Sequence, residues 1–339
     1  MTLEIITAGI ILVALTFYIL LGGADYGAGV WALFARGPRG PAQRKLIREA
    51  IGPIWEANHV WLILVVTVLF TGFPTAFAVI TTRLHIPLTI MLIGIVLRGA
   101  GLAFRSYGIH SHGEKPYWEG VFIFASLITP ILLGITIGTL ASGELGSHDR
   151  TFGSLFVWPW LAMFPTAVGL LALVLFAFLA AIYLTREARD EELREDFRRR
   201  ALIAAVLVAI LAGSVFMLAS RDAPMIWHRL SDSAWGWMLM LATATAAAAT
   251  VLALWTRRYA LARICAAAET TLILWGWALA QFPFLVVPDI TIANAAAPPL
   301  TLQLLILANL VGALMLFPAL YYLFRIFKGR ALFAPDDPR

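Results

Sequence analysis

The stretch that decides the fold is "ILLGGADYGAGVWALFARG", residues 19–37. It continues an apolar run and reads as part of a membrane helix, yet Asp25 stands inside it among glycines. A charge at mid-span costs about 2.5–3.5 kcal/mol on insertion scales, so such residues are kept for pairing or for function.

The rest of the chain agrees with the membrane reading. Hydrophobic residues make up 61% of the 339 and charged residues 13%, whereas soluble domains carry about 25% charged residues. The expected fold is therefore all-α and integral to the membrane. Twelve Trp and eight Tyr suit two interfacial belts. The single cysteine, Cys265, rules out an internal disulfide and a cysteine-built metal site. The opening residues carry Glu4 and no basic residue, so the first helix is expected to be a retained span and not a cleaved signal.

A span needs about 20 mostly apolar residues. Nine are expected, over 5–34, 51–72, 75–104, 118–141, 157–185, 201–220, 233–255, 262–282 and 301–326. The turn between the second and third falls at "TGFPT" or near "TTRLHIP". The chain reads as a single domain, 1–339, with approximate halves 1–142 and 143–339. "TREARDEELREDFRRR", 185–200, reads as a helical cytoplasmic connector.

Positive residues orient the chain. With the N-terminus periplasmic and the C-terminus cytoplasmic, 20 of the 25 Lys and Arg fall inside. Four fall outside, Arg83, Arg150, Arg221 and Arg229, and Arg98 lies within a span. The net charge of +5 thus belongs to cytoplasmic loops, and no nucleic-acid partner is implied. Orientation then gives depth. Asp25, Glu56 and Arg98 lie roughly 15, 12 and 10 Å above the cytoplasmic boundary, at 1.5 Å per residue. Three ionisable groups at similar depth suggest one buried cluster in which Arg98 pairs with Asp25 or Glu56.

Local spacing supports this. Gly22, Asp25 and Gly29 share a helix face, and a small-residue stripe invites a neighbouring helix. Glu56 and His59 stand at i, i+3, and Pro53 frees a backbone carbonyl below them. Arg98, Gly101 and Arg105 form a third stripe, with Arg105 at the interface. Carboxylates entered from the cytoplasm beside a histidine make a plausible proton path. The plainer readings are structural pairing for Asp25, a helix–helix hydrogen bond for His59, Asn58, Gln281, Gln303 and Asn309, and an interfacial place for Glu269. Of six histidines only His59 is deep, and no nucleotide or metal motif occurs. The chain reads as a partner subunit or a carrier.

Several blocks resemble one family, subunit II of cytochrome bd-type quinol oxidases. They are "GGADYGAG" (22–29), "AIGPIWEANHVWLI" (50–63), "RGAGLAFRS" (98–106), "ITPILLGITIGTL" (128–140) and "FPFLVVPDITIANAAAPPLTL" (282–302). The modest length and short loops resemble the shorter, cyanide-insensitive branch. The resemblance implies two four-helix bundles plus one peripheral helix, in the bacterial cytoplasmic (inner) membrane. It implies a separate subunit I carrying two b-type haems and one d-type haem, which oxidises quinol and reduces oxygen. Subunit II then holds no haem, supports assembly and contributes a cytoplasmic proton route. Carried onto this sequence, Glu56, Asp25 and His59 become proton-path residues, and Arg98 and Arg105 counter-charges. A bound quinone or lipid and small single-helix subunits fit the same picture. The sequence departs from the pattern in having Glu56 where many members have Asp, Ile54 where several have His, and His59 where an amide is common, so no histidine role transfers directly. Two rival readings stand beside this one: a stand-alone proton-coupled transporter, and a purely structural subunit.

Overall fold

The computed structural model describes residues 2–51, 55–107, 115–146 and 151–333. Pro53 (expected to free a backbone carbonyl below Glu56), Ile54, and the loop histidines His110, His112 and His148 lie outside them. So does the side chain of Arg105, whose backbone is helical.

The first span is one continuous rod in three parts: α1 (Leu3–Phe17), a π-helical turn (Tyr18–Gly22) and α2 (Gly23–Leu33). The amphipathic α3 (Gly40–Ile51) follows on the Arg-rich side, then α4 (Trp55–Gly72). Both candidate turn sites prove to be breaks. Phe73 and Leu84 flank a ten-residue helix α5 (Pro74–Arg83), started by Pro74, whose missing N–H costs nothing at a helix start. The expected third span therefore shortens to α6 (His85–Tyr107), because 75–83 belongs to α5.

Next come α7 (Lys115–Ser142), two short helices α8 (Phe152–Phe156) and α9 (Trp158–Leu161), and α10 (Met163–Glu187). The expected connector 185–200 is not a separate element. Asp190 caps α11 (Glu191–Asp222) by accepting from Glu192 N at 2.9 Å, and the arginine-rich segment forms its opening turns. At 32 residues α11 exceeds the length a bilayer needs. The chain continues through α12 (Pro224–Ser231), α13 (Ala234–Trp255) and α14 (Tyr259–Gln281). A small antiparallel hairpin, β1 (Phe284–Val286) and β2 (Ile290–Thr291), then leads to α15 (Pro299–Phe333).

Eight helices among the described residues are long and apolar enough to cross a membrane. The segment expected as a further span, α14, has 23 residues but carries Arg263 and Glu269, which lower its mean hydropathy. Helices α10, α11, α13 and α14 touch in a closed ring. The first rod touches α4 and α7, and α6 lies along α7. The two sets meet where α10 packs on α2 and α7, while α15 leans on α1 and α4 and stays largely exposed.

Small residues set these contacts. Gly23 and Gly27 of α2 press against Phe176 of α10, and at Gly27 a side chain would run into the Phe176 carbonyl. The Trp31 indole crosses the same seam and donates to Ala177 O at 2.7 Å. Gly134 and Gly138 of α7 meet Val168 and Pro165 of α10 in the same way. On the Arg-rich side α3 docks on the start of α11. Arg39 donates two hydrogen bonds to the Asp196 carboxylate, at 2.8 and 2.7 Å, and the Gln43 amide adds a third at 2.7 Å. Burial pushes the Asp196 carboxyl up, but these bonds and the Arg39 and Arg200 charges outweigh it and hold it below its ordinary value.

Candidate functional site

The polar centre of the molecule forms where the first rod changes its winding. The π-helical turn at Tyr18–Gly22 directly precedes the glycine-rich segment, and such turns recur at functional sites. Across it the Tyr18 hydroxyl donates to the Tyr26 hydroxyl at 3.4 Å, with both residues buried. Gly22 leaves room beside it, so that Asn58 of α4 can approach. Asn58 Nδ2 donates to Asp25 Oδ2 at 2.6 Å, a short bond to a carboxylate that is 7% exposed. The structural reading of Asn58 as an interhelical hydrogen-bond former is thus correct, and its partner is the carboxylate that raised the question. Gln281 and Asn309 instead bond backbone carbonyls, at Leu285 and within α15 at Leu305.

Arg98 is 1% exposed and belongs to the same region. Gly94 and Gly101, on its face of α6, let α7 come close enough to bury it. Its guanidinium lies over the Tyr26 ring, 4.4 Å from the centroid, and 5.7 Å from that of Phe122. Face-on placement over an aromatic ring is how a desolvated cation gains about 2 kcal/mol. Asp25 directly precedes Tyr26, over whose ring Arg98 lies, so the two charges belong to one region. His59 closes one side, half-buried, with the rings of Tyr18, Tyr26 and Trp55 at 6.1, 6.1 and 6.0 Å.

The pocket is rich in unsatisfied polar atoms. Among the described residues, His59 Nδ1, Arg98 Nε and Nη2, Ser126 Oγ and Thr129 Oγ1 are buried without a hydrogen-bond partner. Buried polar groups are rarely left so, and a cluster of them calls for a functional explanation.

Glu56 departs from the expected cluster: it is exposed on the surface of the chain. The reason is helical phase. Asn58, Trp61, Val68 and Gly72 make the buried face of α4, and Glu56 stands two residues before Asn58, about 200° around the helix. It heads an outward stripe continued by Val60, Ile63 and Phe70. On α6, Ile93, Val96, Leu97 and Phe104 are outward too. Similar depth, which is what the sequence offered, does not imply the same face.

Tyr18 and Tyr26 escape sequence reasoning, because aromatic residues in a span read as packing. Glu269 also corrects its interfacial reading: it is 5% exposed and lies at mid-helix in α14. Among the described residues no three His, Cys, Asp or Glu side chains gather as a metal site.

A family model for cytochrome bd terminal oxidase subunit II matches residues 3–327. A Bacillus subtilis (strain 168) protein named putative cytochrome bd menaquinol oxidase subunit II is 22% identical over 319 residues, 91% of each chain. A second from that organism, cytochrome bd ubiquinol oxidase subunit 2, is 28% identical over 62% of each chain. Cytochrome bd-I ubiquinol oxidase subunit 2 of Escherichia coli (strain K12) is 24% identical over 63% of this chain and 57% of its own length. Among solved structures, the bd oxidase from Geobacillus thermodenitrificans superposes with a TM-score of 0.77 at 23% identity, over 97% of this chain and 99% of that one, so the fold is shared. With the family match running nearly end to end, the chain belongs to the cytochrome bd terminal oxidase subunit II family.

Proposed function

We propose that this chain is the haem-free partner of a haem-bearing subunit I in a quinol:oxygen oxidoreductase, and that it leads protons from the cytoplasm toward the oxygen-reducing haem. In this reading nine helices cross the membrane with the N-terminus periplasmic. They form two four-helix bundles, with α15 peripheral. The observation that carries it is the buried Asp25 carboxylate, held by Asn58 and in one region with Arg98.

The haems belong to subunit I, and His59 stands among the rings of Tyr18, Tyr26 and Trp55. This chain's own residues would do three things. Asp25 holds a proton or a negative charge. Arg98 offsets that charge, so that the carboxylate can form at membrane depth. The Tyr18–Tyr26 hydroxyl pair and His59 supply further groups that accept and release protons. Glu56 faces out of the chain among apolar neighbours, and this surface suits contact with subunit I; there Glu56 would hand protons across.

Replacing Glu56 by Ala tests the reading. The expected variant complex purifies with its haem spectrum intact and consumes oxygen more slowly per haem. Loss of haem with unchanged turnover per remaining haem would favour a purely structural subunit, a reading to which the close glycine contacts of α2 and α10 lend support.

A further inference from the structure

The ring of α10, α11, α13 and α14 is not filled by its own side chains. Together with α7 it encloses a cavity of about 570 Å³. Protein interiors pack densely and seldom leave voids larger than a water molecule. A space of this size falls in the range of small-molecule sites. Its walls are apolar, with Leu133, Leu175 and Phe216 among them, and one charged side chain lines it, Glu269.

Glu269 is more than nine-tenths buried. The nearby Thr250 hydroxyl donates to Ala246 O at 2.9 Å, and Glu269 Oε2 has no partner among the described residues. Trp277, which also lines the cavity, leaves its indole N–H without an acceptor there. Leaving a buried polar group unmatched costs about 1–3 kcal/mol, which a ligand supplying the missing bond would recover.

The cavity has a mouth. Ala209 and Gly213 of α11 and Ala244 of α13 line it and are exposed on the outer surface. At Gly213 an added side chain would meet nothing within 4 Å. This mouth lies between membrane helices, so whatever enters comes from the bilayer. Glu269 is ten residues from the start of α14 and twelve from its end, about 15–18 Å from either. A phospholipid head group stays at the interface and does not reach that depth.

We propose that this cavity binds a neutral, mostly hydrocarbon molecule from the bilayer that presents one hydroxyl group to Glu269. The carboxyl can meet a hydroxyl in either protonation state, since it accepts when ionised and both donates and accepts when protonated. Glu269 stands on α14, in the ring of α10, α11, α13 and α14, and the proposal holds whether or not the proton reading does.

The test uses the intact oxidase complex in vesicles of phosphatidylethanolamine and phosphatidylglycerol, with a farnesol bearing a photoreactive diazirine as probe. Peptide mass spectrometry should place the adducts on the lining segments of α11, α13 and α14. Unlabelled farnesol should displace the probe at about tenfold lower concentration than farnesene, the same hydrocarbon without the hydroxyl. Hexadecanol in a parallel arm tells a straight-chain ligand from a branched one. Glu269→Leu should abolish the preference for the alcohol, and Gly213→Phe should block labelling while the haem spectrum is unchanged. Equal displacement by farnesol and farnesene, or adducts spread over outer faces such as α15, would overturn the proposal. That comparison needs only the unmodified complex, so a variant that fails to assemble does not leave the question open.

Discussion

Asp25→Asn separates a proton-carrying carboxylate from a structural one. The side chains are isosteric, so packing against Gly22, Tyr26 and α10 is kept and the volume term is near zero. The 2.6 Å bond from Asn58 survives with a neutral acceptor. Bonds to charged groups contribute about 1.5–3 kcal/mol and neutral ones about 0.5–1.5, so the loss is about 1–1.5 kcal/mol. Against a typical stability of about 5–15 kcal/mol that does not unfold the chain. The amide, however, cannot take up a proton at neutral pH. General acid–base groups contribute about 10²–10⁴ in rate, and even with partial bypass through other groups turnover should fall at least about tenfold. The assay is oxygen consumption normalised to haem, measured beside the visible spectrum of the purified complex. Wild-type turnover per haem in Asp25→Asn would refute the proton role. A loss of haem in step with activity would make Asp25 a structural residue.

The other substitutions probe the surroundings of that carboxylate. Arg98→Leu removes the cation over Tyr26 and leaves Asp25 without its nearby positive charge, so the yield of haem-containing complex should fall severalfold; normal yield would show that the charges are not coupled. Gly27→Val forces α2 away from the Phe176 carbonyl and strains the Trp31–Ala177 bond, with an expected cost of about 1–3 kcal/mol seen as a lower melting temperature of the complex. Asp196→Asn weakens the docking of α3 on α11. Because the folded carboxyl titrates below its ordinary value, its stabilisation is complete above about pH 4 and fades as pH falls through the lowered value. Hydrogen exchange in α3 should therefore be faster in the variant at pH 7, and the difference should vanish in acid.

Much of this was legible in the sequence, for reasons that differ by feature. Apolar run length located every long helix, since a span must satisfy its backbone internally. Asp25 and Arg98 were found by their cost, because a charge in an apolar segment has no cheap explanation. Run length could not show that 75–83 is its own helix, because its apolar residues 76–80 lie between two apolar runs and only the breaks at Phe73 and Leu84 separate it from them. Nor could it show that the 185–200 segment continues as helix into α11, where Asp190 supplies the cap. The site was half visible. Depth follows from counting residues, but facing depends on which neighbour each helix meets, and that is a tertiary fact. Glu56 was misjudged for that reason, and Glu269 because nearness to Arg263 suggested an interface when the helix ring in fact encloses it.

The phase of α4 has a consequence for any route through this subunit. Taking Glu56 as zero, Asn58 stands at about 200° and His59 at about 300° around the helix. His59 thus falls between the outward carboxylate and the inward amide, about 60° from one and 100° from the other. Its half-buried state agrees with that position. Asp25 is inside and Glu56 outside, and α4 is the wall between them. In the proposed route a proton passing from one to the other would go around that wall, and His59 stands at its edge. Its Nδ1 lacks a partner among the described residues, so it is not committed to a structural bond there. The same turn of α4 therefore serves the Asp25 pocket through Asn58 and the outer face through Glu56. Exchanging the two residues, which stand two positions apart, would place a carboxylate against Asp25 and an amide on the apolar surface.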